Sequence, residues 1–386
     1  MIKAKKRDIH LNEAILTEHV QDVLLDPEVD VIIEVMGGIE QTKQYVLQAL
    51  KQKKHVVTAN KDLMALHGAE LLETAAENGC DLFYEASVAG GVPILRSLSE
   101  GLAADRITKM MGIVNGTTNY ILTKMSQEGS SYDEVLKQAQ ELGFAESDPT
   151  ADVEGLDAAR KMSILATLGF STNVSLDDVS VEGISNISDT DLYFCNQLGY
   201  TMKLIGLAQR DDGRVEVSVQ PTLVPNDHPL AAVHNEYNAV YVYGEAVGET
   251  MFYGPGAGSL ATGTSVVSDL VVVMKNMRLG VNGKAIQKPL HQKALKEDKE
   301  IDSKYFLRLQ VLDEAGAFSA ITSLFAEFEV SFEKLLQLPV EGEEFAEIVI
   351  ITHKTNKENY LALYKRLSDL EVVKSVQSCY RVEGGN

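Results

Sequence analysis

Residues 142–161 read LGFAESDPTADVEGLDAARK, with carboxylates at Glu146, Asp148, Asp152, Glu154 and Asp157 and cations at Arg160 and Lys161. Asp157 and Lys161 are spaced i, i+4, so on a helix they share a face. A lysine fixed beside a carboxylate can serve as an acid–base group. The same pair on a solvated helix is only a surface ion pair worth about 0.3–0.5 kcal/mol. Glu146, Asp152 and Asp157 add acids able to converge on a bound ammonium group. Pro149 stops one element, and Thr150 or Asp152 can cap the helix that carries the lysine.

Four other stretches could carry chemistry. TANK places Thr58, Asn60 and Lys61 just past a strand end, where Lys61 could approach a cofactor or a substrate carbonyl, or simply be solvated. YEASVAGGVP sets Glu85 ahead of a turn whose carbonyls could hold a hard cation. Spacing alone favours a plain turn through Gly90 and Gly91. GIVNGTTNYIL ends a strand at Asn115 and Gly116 and starts a helix at Thr117 or Thr118, so its free N–H groups suit a carboxylate, or need only an ordinary cap. YGPGAGSLATG opens a helix with glycines that permit either backbone approach to a cofactor or close helix–sheet packing.

These sites need a frame. The first third alternates β-branched runs with amphipathic ones: 29–38, 55–61 and 82–91 read as strands, the last running into glycines, with helices between them. That βαβαβ order predicts a doubly wound parallel sheet that binds ligands at the carboxyl ends of its strands. The middle predicts α+β structure, with a hairpin turning at Asp211, Asp212 and Gly213 and a second hairpin in NAVYVYGEAVGETMFYG. An apolar helix follows Gly258, and the polar run 280–302 reads as a linker. The tail repeats β-α-β-β-α-β, a ferredoxin-like order, with the turn DEAG at 313–316.

Composition narrows the class. The chain has 386 residues, 45% of them hydrophobic, which allows two or three domains with real cores. A formal charge of −21 argues against a nucleic-acid surface. Cys80, Cys195 and Cys379 are odd in number and scattered, as free thiols in a reducing compartment would be. No apolar run approaches a membrane span, and MIKAKKRDIH lacks the apolar core of a signal peptide. The expectation is a cytoplasmic protein without membrane or nucleic-acid partners.

Taken in order, VMGG, TANK, EASVAGG, GIVNGTTNYIL, LGFAESDPTADVEGLDAARK and YGPGAG resemble the homoserine dehydrogenase family over almost the whole chain, and the tail resembles an ACT domain. The resemblance implies a reversible hydride transfer, with NADP or NAD, between L-homoserine and L-aspartate 4-semialdehyde. It implies Lys161 as proton donor, with Asp157 and Lys61 beside it. Glu146, Asp152, Asp157, Gly116 and Thr117 would hold substrate. Thr58, Lys61, Gly143, Gly256 and Gly258 would lie near the cofactor, and Glu85 with Val88, Gly90 and Val92 would form a sodium site. Ala151 departs from the family's pattern, since an acid often precedes Asp152.

The implied domains are a nucleotide-binding part over 1–114, a substrate and dimerisation part over 115–258, and a helix returning to the first part over 259–280. A linker over 281–303 and an ACT module over 304–382 complete the chain. The ACT module implies an amino-acid effector such as threonine, and the middle sheet a homodimer or homotetramer. The family's dinucleotide fold opens with G-x-G-x-x-G, which occurs nowhere in this sequence. The expectation is therefore an incomplete Rossmann-type sheet, its glycine turn lying ahead of Met1. A rival reading is a non-catalytic amino-acid-binding protein that keeps the ACT module. Another is a different dehydrogenase of amino-acid metabolism. The retained Lys61, Glu146, Asp157 and Lys161 argue against both.

Overall fold

The structure, a computed structural model, describes residues 15–284, 290–339 and 344–384. The opening decapeptide and part of the expected linker, 285–289, lie outside the described residues.

In the first third, α1 (Val20–Leu24), β1 (Val31–Glu34), α2 (Glu40–Lys51), β2 (His55–Thr58), α3 (Lys61–Glu77) and β3 (Leu82–Phe83) follow one another. The three strands form a parallel sheet in the order β1-β2-β3. β2 is buried along its whole length, as a strand covered on both faces must be. Asn60 starts α3 by accepting the Leu63 N–H at 3.0 Å, a cap that ends β2 sharply and turns Lys61 outward.

The run 82–91 departs from the expected strand. After two strand residues it coils into a 3₁₀ turn at Glu85–Ser87. The cause is tertiary: the Glu85 carboxylate accepts the Leu95 and Arg96 N–H groups at 2.8 and 2.9 Å, at the start of α4 (Ile94–Arg96). A β-branched run followed by glycines does not reveal that its glutamate caps a helix ten residues on.

The middle region holds β4 (Ile107–Ile113), α5 (Gly116–Glu128), α6 (Tyr132–Glu141), α7 (Thr150–Val153), α8 (Leu156–Phe170), β5 (Ser180–Val181) and α9 (Asp189–Gln197). Then come the hairpins β6 (Tyr200–Asp211) with β7 (Arg214–Pro225), and β8 (Tyr237–Gly244) with β9 (Gly248–Pro255). The first turns through Asp212 and Gly213, both at positive φ, as a two-residue hairpin requires. Helix α8 lays Met162, Leu165, Ala166 and Phe170 against this sheet, all fully buried.

Helix α10 (Ser259–Leu279) returns to the first sheet. Its Ser265 donates to the Gly90 carbonyl at 2.8 Å, and its Asp269 accepts the Glu85 N–H at 2.9 Å and pairs with Arg96.

The tail contains β10 (Asp302–Leu312), α11 (Ala317–Glu327), β11 (Phe332–Pro339), β12 (Phe345–Thr352), β13 (Thr355–Asn356), α12 (Lys357–Leu367) and β14 (Val373–Val382). Apart from the two-residue β13, this is the ferredoxin-like order expected. Its sheet does not stand apart. β14 pairs in parallel with β7 through Arg381–Thr222 and Val382–Leu223, so one 11-stranded sheet runs from the tail into the middle region. The polar run ahead of β10 also docks. Val215 exchanges backbone hydrogen bonds with Ala294 and Lys296 at 2.8 and 2.9 Å, pairing that composition alone cannot signal.

Candidate active site

Four elements meet at the crevice: the ends of β4 and β2 and the starts of α3 and α8. Asp157 sits at their junction, 3% exposed. One oxygen, Oδ1, contacts the Lys61 ammonium at 2.5 Å. The other, Oδ2, accepts from Lys161 Nζ at 2.6 Å. Lys161 donates a second bond to the Val114 carbonyl at 2.7 Å, at the end of β4. The i, i+4 pair read from sequence is thus a buried array bridged across two regions.

The expected cap of this helix is not what forms. Thr150 and Asp152 lie inside the one-turn α7, and α8 starts after Gly155, whose φ of 80° few side chains tolerate. That left-handed residue reverses the chain so that Asp157 enters the first turn of α8, where a carboxylate is favoured by the unpaired N–H groups. Leu156, the first residue of α8, is 38% exposed.

Sequence reasoning passed over Asn115 as a site residue. Its Oδ1 caps α5 by accepting the Thr118 N–H at 2.9 Å. Its Nδ2 donates to Asp152 Oδ1 at 2.7 Å and Asp157 Oδ2 at 2.9 Å. The cap was legible; the use of the amide's other end across 42 residues was not. Thr117 donates to the Phe144 carbonyl at 2.6 Å and so ties the loop 142–146 to α5. Gly116 starts α5 against the Glu236 backbone.

The electrostatics follow from these contacts. Burial disfavours the charge on Asp157, but Lys161 and Lys61 outweigh it and hold the carboxyl well below the ordinary range. Burial likewise opposes the Lys61 charge, and Asp157 more than offsets it, so its pKa is raised. For Asp152 burial dominates over the Asn115 hydrogen bond and lifts its pKa. An ammonium group has three donors. Lys161 spends two on Asp157 and Val114, leaving one for a ligand oxygen. The Lys61 side chain is 37% exposed and faces the crevice mouth.

The remaining sequence candidates are placed less centrally. Glu146 is exposed and outside this array; among the described residues its backbone carbonyl accepts from Gln140 at 3.0 Å. Thr58 is buried with its hydroxyl turned inward to Glu34 at 2.6 Å. Gly143 lies in the exposed loop after α6. A Cβ on Gly256 would sit 2.1 Å from the Asn238 side chain, so packing accounts for that glycine; Gly258 stands exposed at the start of α10.

A nicotinamide cofactor fits the open carboxyl ends of β1 and β2. There the chain turns through Gly37 and Gly38, and a Cβ on Gly37 would meet nothing within 4 Å. The turn expected to hold sodium already carries protein hydrogen bonds, which leave its oxygens further lone pairs. Both Glu85 oxygens accept backbone N–H groups, the Gly90 carbonyl accepts from Ser265, and the Val92 carbonyl accepts from Ile94 at 2.8 Å; Val88 is fully buried beside them. Among the described residues no cluster of three His, Cys, Asp or Glu side chains could hold a metal ion.

Comparison with known proteins bears on this geometry. The family model "Homoserine dehydrogenase" matches residues 93–271, its NAD-binding-domain model matches 2–85, and the ACT-domain model matches 305–372. The homoserine dehydrogenase of Bacillus subtilis (strain 168) is 67% identical over 381 residues, 98% of this chain and 88% of that protein. The homoserine dehydrogenase of Thiobacillus denitrificans superposes with a TM-score of 0.90 at 38% identity, covering 95% of this chain and 85% of that one. A hyperthermophilic archaeal homoserine dehydrogenase solved in complex with NADPH gives a TM-score of 0.58 at 27% identity, covering 67% of this chain and 75% of that one. The expectation that the nucleotide-binding region is entered only past its opening unit finds no support, because the domain model matches from residue 2.

Proposed function

The chain belongs to the homoserine dehydrogenase family, and from that premise we propose that Lys161, held by Asp157 and Val114, moves the proton in the interconversion of L-homoserine and L-aspartate 4-semialdehyde. The bound nicotinamide cofactor supplies or takes the hydride. This chain's groups manage the charge that appears on the substrate oxygen. As the aldehyde is reduced, that oxygen gains negative charge, and an ammonium already in place stabilises it without reorganising. Lys161 keeps one N–H for that oxygen because its other two are spent.

Asp157 stays ionised throughout, since two cations hold its carboxyl low. It fixes both lysines rather than accepting the proton. Lys61, more exposed, meets substrate and cofactor at the crevice mouth. Asp152, oriented by Asn115, receives the substrate ammonium together with Asp157, and Glu146 closes over it from the exposed loop. Gly116 and Thr117, at the start of α5, face the amino-acid end of the substrate. Gly143 and Gly258, both exposed, line the approach of the cofactor, NADP or NAD, and Gly256 and the buried Thr58 support it through their packing. The NADPH-bound archaeal relative supports that cofactor class. The sodium ion expected at Glu85, Val88, Gly90 and Val92 rests on resemblance, and no step uses it.

The observation that carries this reading is the Asp157 carboxylate shared between Lys61 and Lys161. Its test is Lys161→Met, assayed by NAD(P)H absorbance with L-aspartate 4-semialdehyde. Turnover should fall by ~10²–10⁴ with NAD(P)H affinity unchanged. Turnover near that of the natural enzyme would remove Lys161 from the mechanism. The intact array leaves the non-catalytic alternative without support.

Threonine is the effector we assign to the ACT module, and a homodimer or homotetramer the assembly, with exposed Tyr237, Met251 and Tyr253 on β8 and β9 offering the surface. Free thiols at Cys80, Cys195 and Cys379, and no described helix long and apolar enough to cross a membrane, accord with a cytoplasmic setting.

A further inference from the structure

Strand β1 reads VIIE. Its first three residues are the β-branched ones a parallel strand favours, but the fourth, Glu34, is an acid and the most buried of the four, 4% exposed. Among the described residues its oxygens are met by neutral donors. Oε1 accepts the Met36 and Gly37 N–H groups at 2.7 and 3.1 Å, and Oε2 accepts the Thr58 hydroxyl at 2.6 Å. A buried acid is costly unless its oxygens are hydrogen-bonded, and here three donors converge on it.

Those donors belong to a closed ring. Thr58, at the end of β2, gives its proton to Glu34 and accepts the Asn60 N–H at 3.0 Å. Asn60 caps α3 with Oδ1 and donates from Nδ2 to the Gly38 carbonyl at 2.8 Å. The ring returns to Glu34 through the Gly37 N–H, and Thr42 of α2 braces it by donating to the Gly37 carbonyl at 2.6 Å. Gly37 and Gly38 stand at φ of 78° and 77°, two successive left-handed residues, and both are exposed at the crevice. The residue after Asn60 is Lys61, whose ammonium meets Asp157.

We propose that Glu34 is a positioning residue for the hydride transfer. It holds the exposed Gly37–Gly38 turn and the first turn of α3 as one piece, so that the cofactor's seat and the Lys61 ammonium keep a fixed spacing. A carboxylate suits this task because it only accepts, and all three of its neighbours donate. The inference rests on the reading of this crevice as the nicotinamide site. It concerns what sets the shape of that crevice, since Glu34 itself lies beneath the turn and touches no reacting atom.

The test is a fluorescence titration of the full chain with NADPH, run beside turnover of L-aspartate 4-semialdehyde and calorimetric melting. Thr58→Val keeps the side chain's shape and removes the hydroxyl that joins Glu34 to Asn60; Thr58→Ser restores it. Glu34→Gln turns an amide NH2 toward a neighbour that itself donates. Leu71→Val, at a fully buried position of α3 outside the ring, loosens the same helix without touching these bonds. Thr58→Val and Glu34→Gln should each weaken NADPH binding roughly tenfold and lower kcat by a similar factor, as a lost buried bond and a small misplacement do. KM for the semialdehyde should change little, because Asn115, Asp152 and Asp157 lie in the middle region. Thr58→Ser should recover most of both losses, and Leu71→Val should melt earlier with NADPH affinity and kcat unchanged. NADPH affinity and kcat like those of the natural chain in Thr58→Val, no recovery in Thr58→Ser, or equal losses in Leu71→Val would each overturn the proposal. Should Glu34→Gln fail to fold, the two Thr58 variants decide it. A natural chain that takes up no NADPH would remove the cofactor reading of the crevice, and this inference with it.

Discussion

With one oxygen on each of two ammonium groups, Asp157 carries a burden that neither lysine carries alone. Replacing it by Asn leaves the largely buried Lys161 and the more exposed Lys61 sharing one neutral amide, and breaking a buried pairing such as Asp157 with Lys161 typically costs about 3–5 kcal/mol. The sign of the pH dependence is fixed by the lowered carboxyl pKa. A depressed acid contributes stability that is full above its unfolded value and is lost as pH falls through the folded one. Urea denaturation of Asp157→Asn should therefore show a deficit against the natural chain that persists from pH 7 to about pH 4 and narrows below it. A deficit that instead vanished near pH 6 would mean that Asp157 is not held low. At this scale the sequence was readable where chemistry is local. Asp157 and Lys161 announce themselves by i, i+4 spacing. Asn115 does not, because a capping asparagine looks the same whether or not its amide reaches another helix. Glu146 is the opposite case: an acid in an acidic loop says nothing about which way the loop faces.

Elements place these groups by close backbone contact, and α5 is the sharpest case. A Cβ on Gly116 would lie 2.6 Å from the Glu236 carbonyl oxygen, a backbone atom that cannot swing away. Gly116→Ala must push the start of α5 outward and carry Asn115 and Thr117 with it. Both orient the site, through Asp152, Asp157 and the loop 142–146. The expected result is a raised KM for homoserine and a kcat reduced by ~10²-fold, as small misplacements at a site produce, together with a lower melting temperature in calorimetry. An alanine variant with unchanged kinetics would show that the helix start tolerates the shift. Element types were largely legible: the parallel strands, both hairpins and the ferredoxin-like tail follow from periodicity and turn residues. The failures came where distant groups decide. Residues 82–91 coil because Glu85 is needed by α4, and the polar run before β10 docks through backbone bonds to Val215 that any composition could make.

Across the whole molecule, the joint between tail and middle region is held by a buried network that also makes the tail hard to remove. Asp191 of α9 is 1% exposed and accepts from Arg308 Nε at 2.8 Å, Ser378 at 2.5 Å and Tyr380 at 3.0 Å, all from β10 and β14. Arg308 also reaches Glu347 at 2.9 Å. The tail's own periodicity invites cutting the chain near Gly283. That cut would bare the edge of β7 at Thr222 and Leu223 and strand Asp191 and Glu216, and an unpaired apolar edge favours aggregation. A point change tests the same joint without exposing the edge. Arg308→Met leaves Asp191 and Glu347 facing an apolar side chain, and removing one partner of a buried ion pair costs about 3–5 kcal/mol. Adding Asp191→Leu removes the deeper of the two orphaned charges, Glu347 being 12% exposed, and a pair replaced by apolar groups is often close to neutral. The double variant should thus recover most of what the single one loses, in denaturant midpoints at equal slope. If the single variant loses less than about 1 kcal/mol, Asp191 is rehydrated at the joint, and the tail is held by strand pairing and apolar contact instead. If the double variant is worse than the single, Ser378 and Tyr380, left without their acceptor, matter more than the charge pair does.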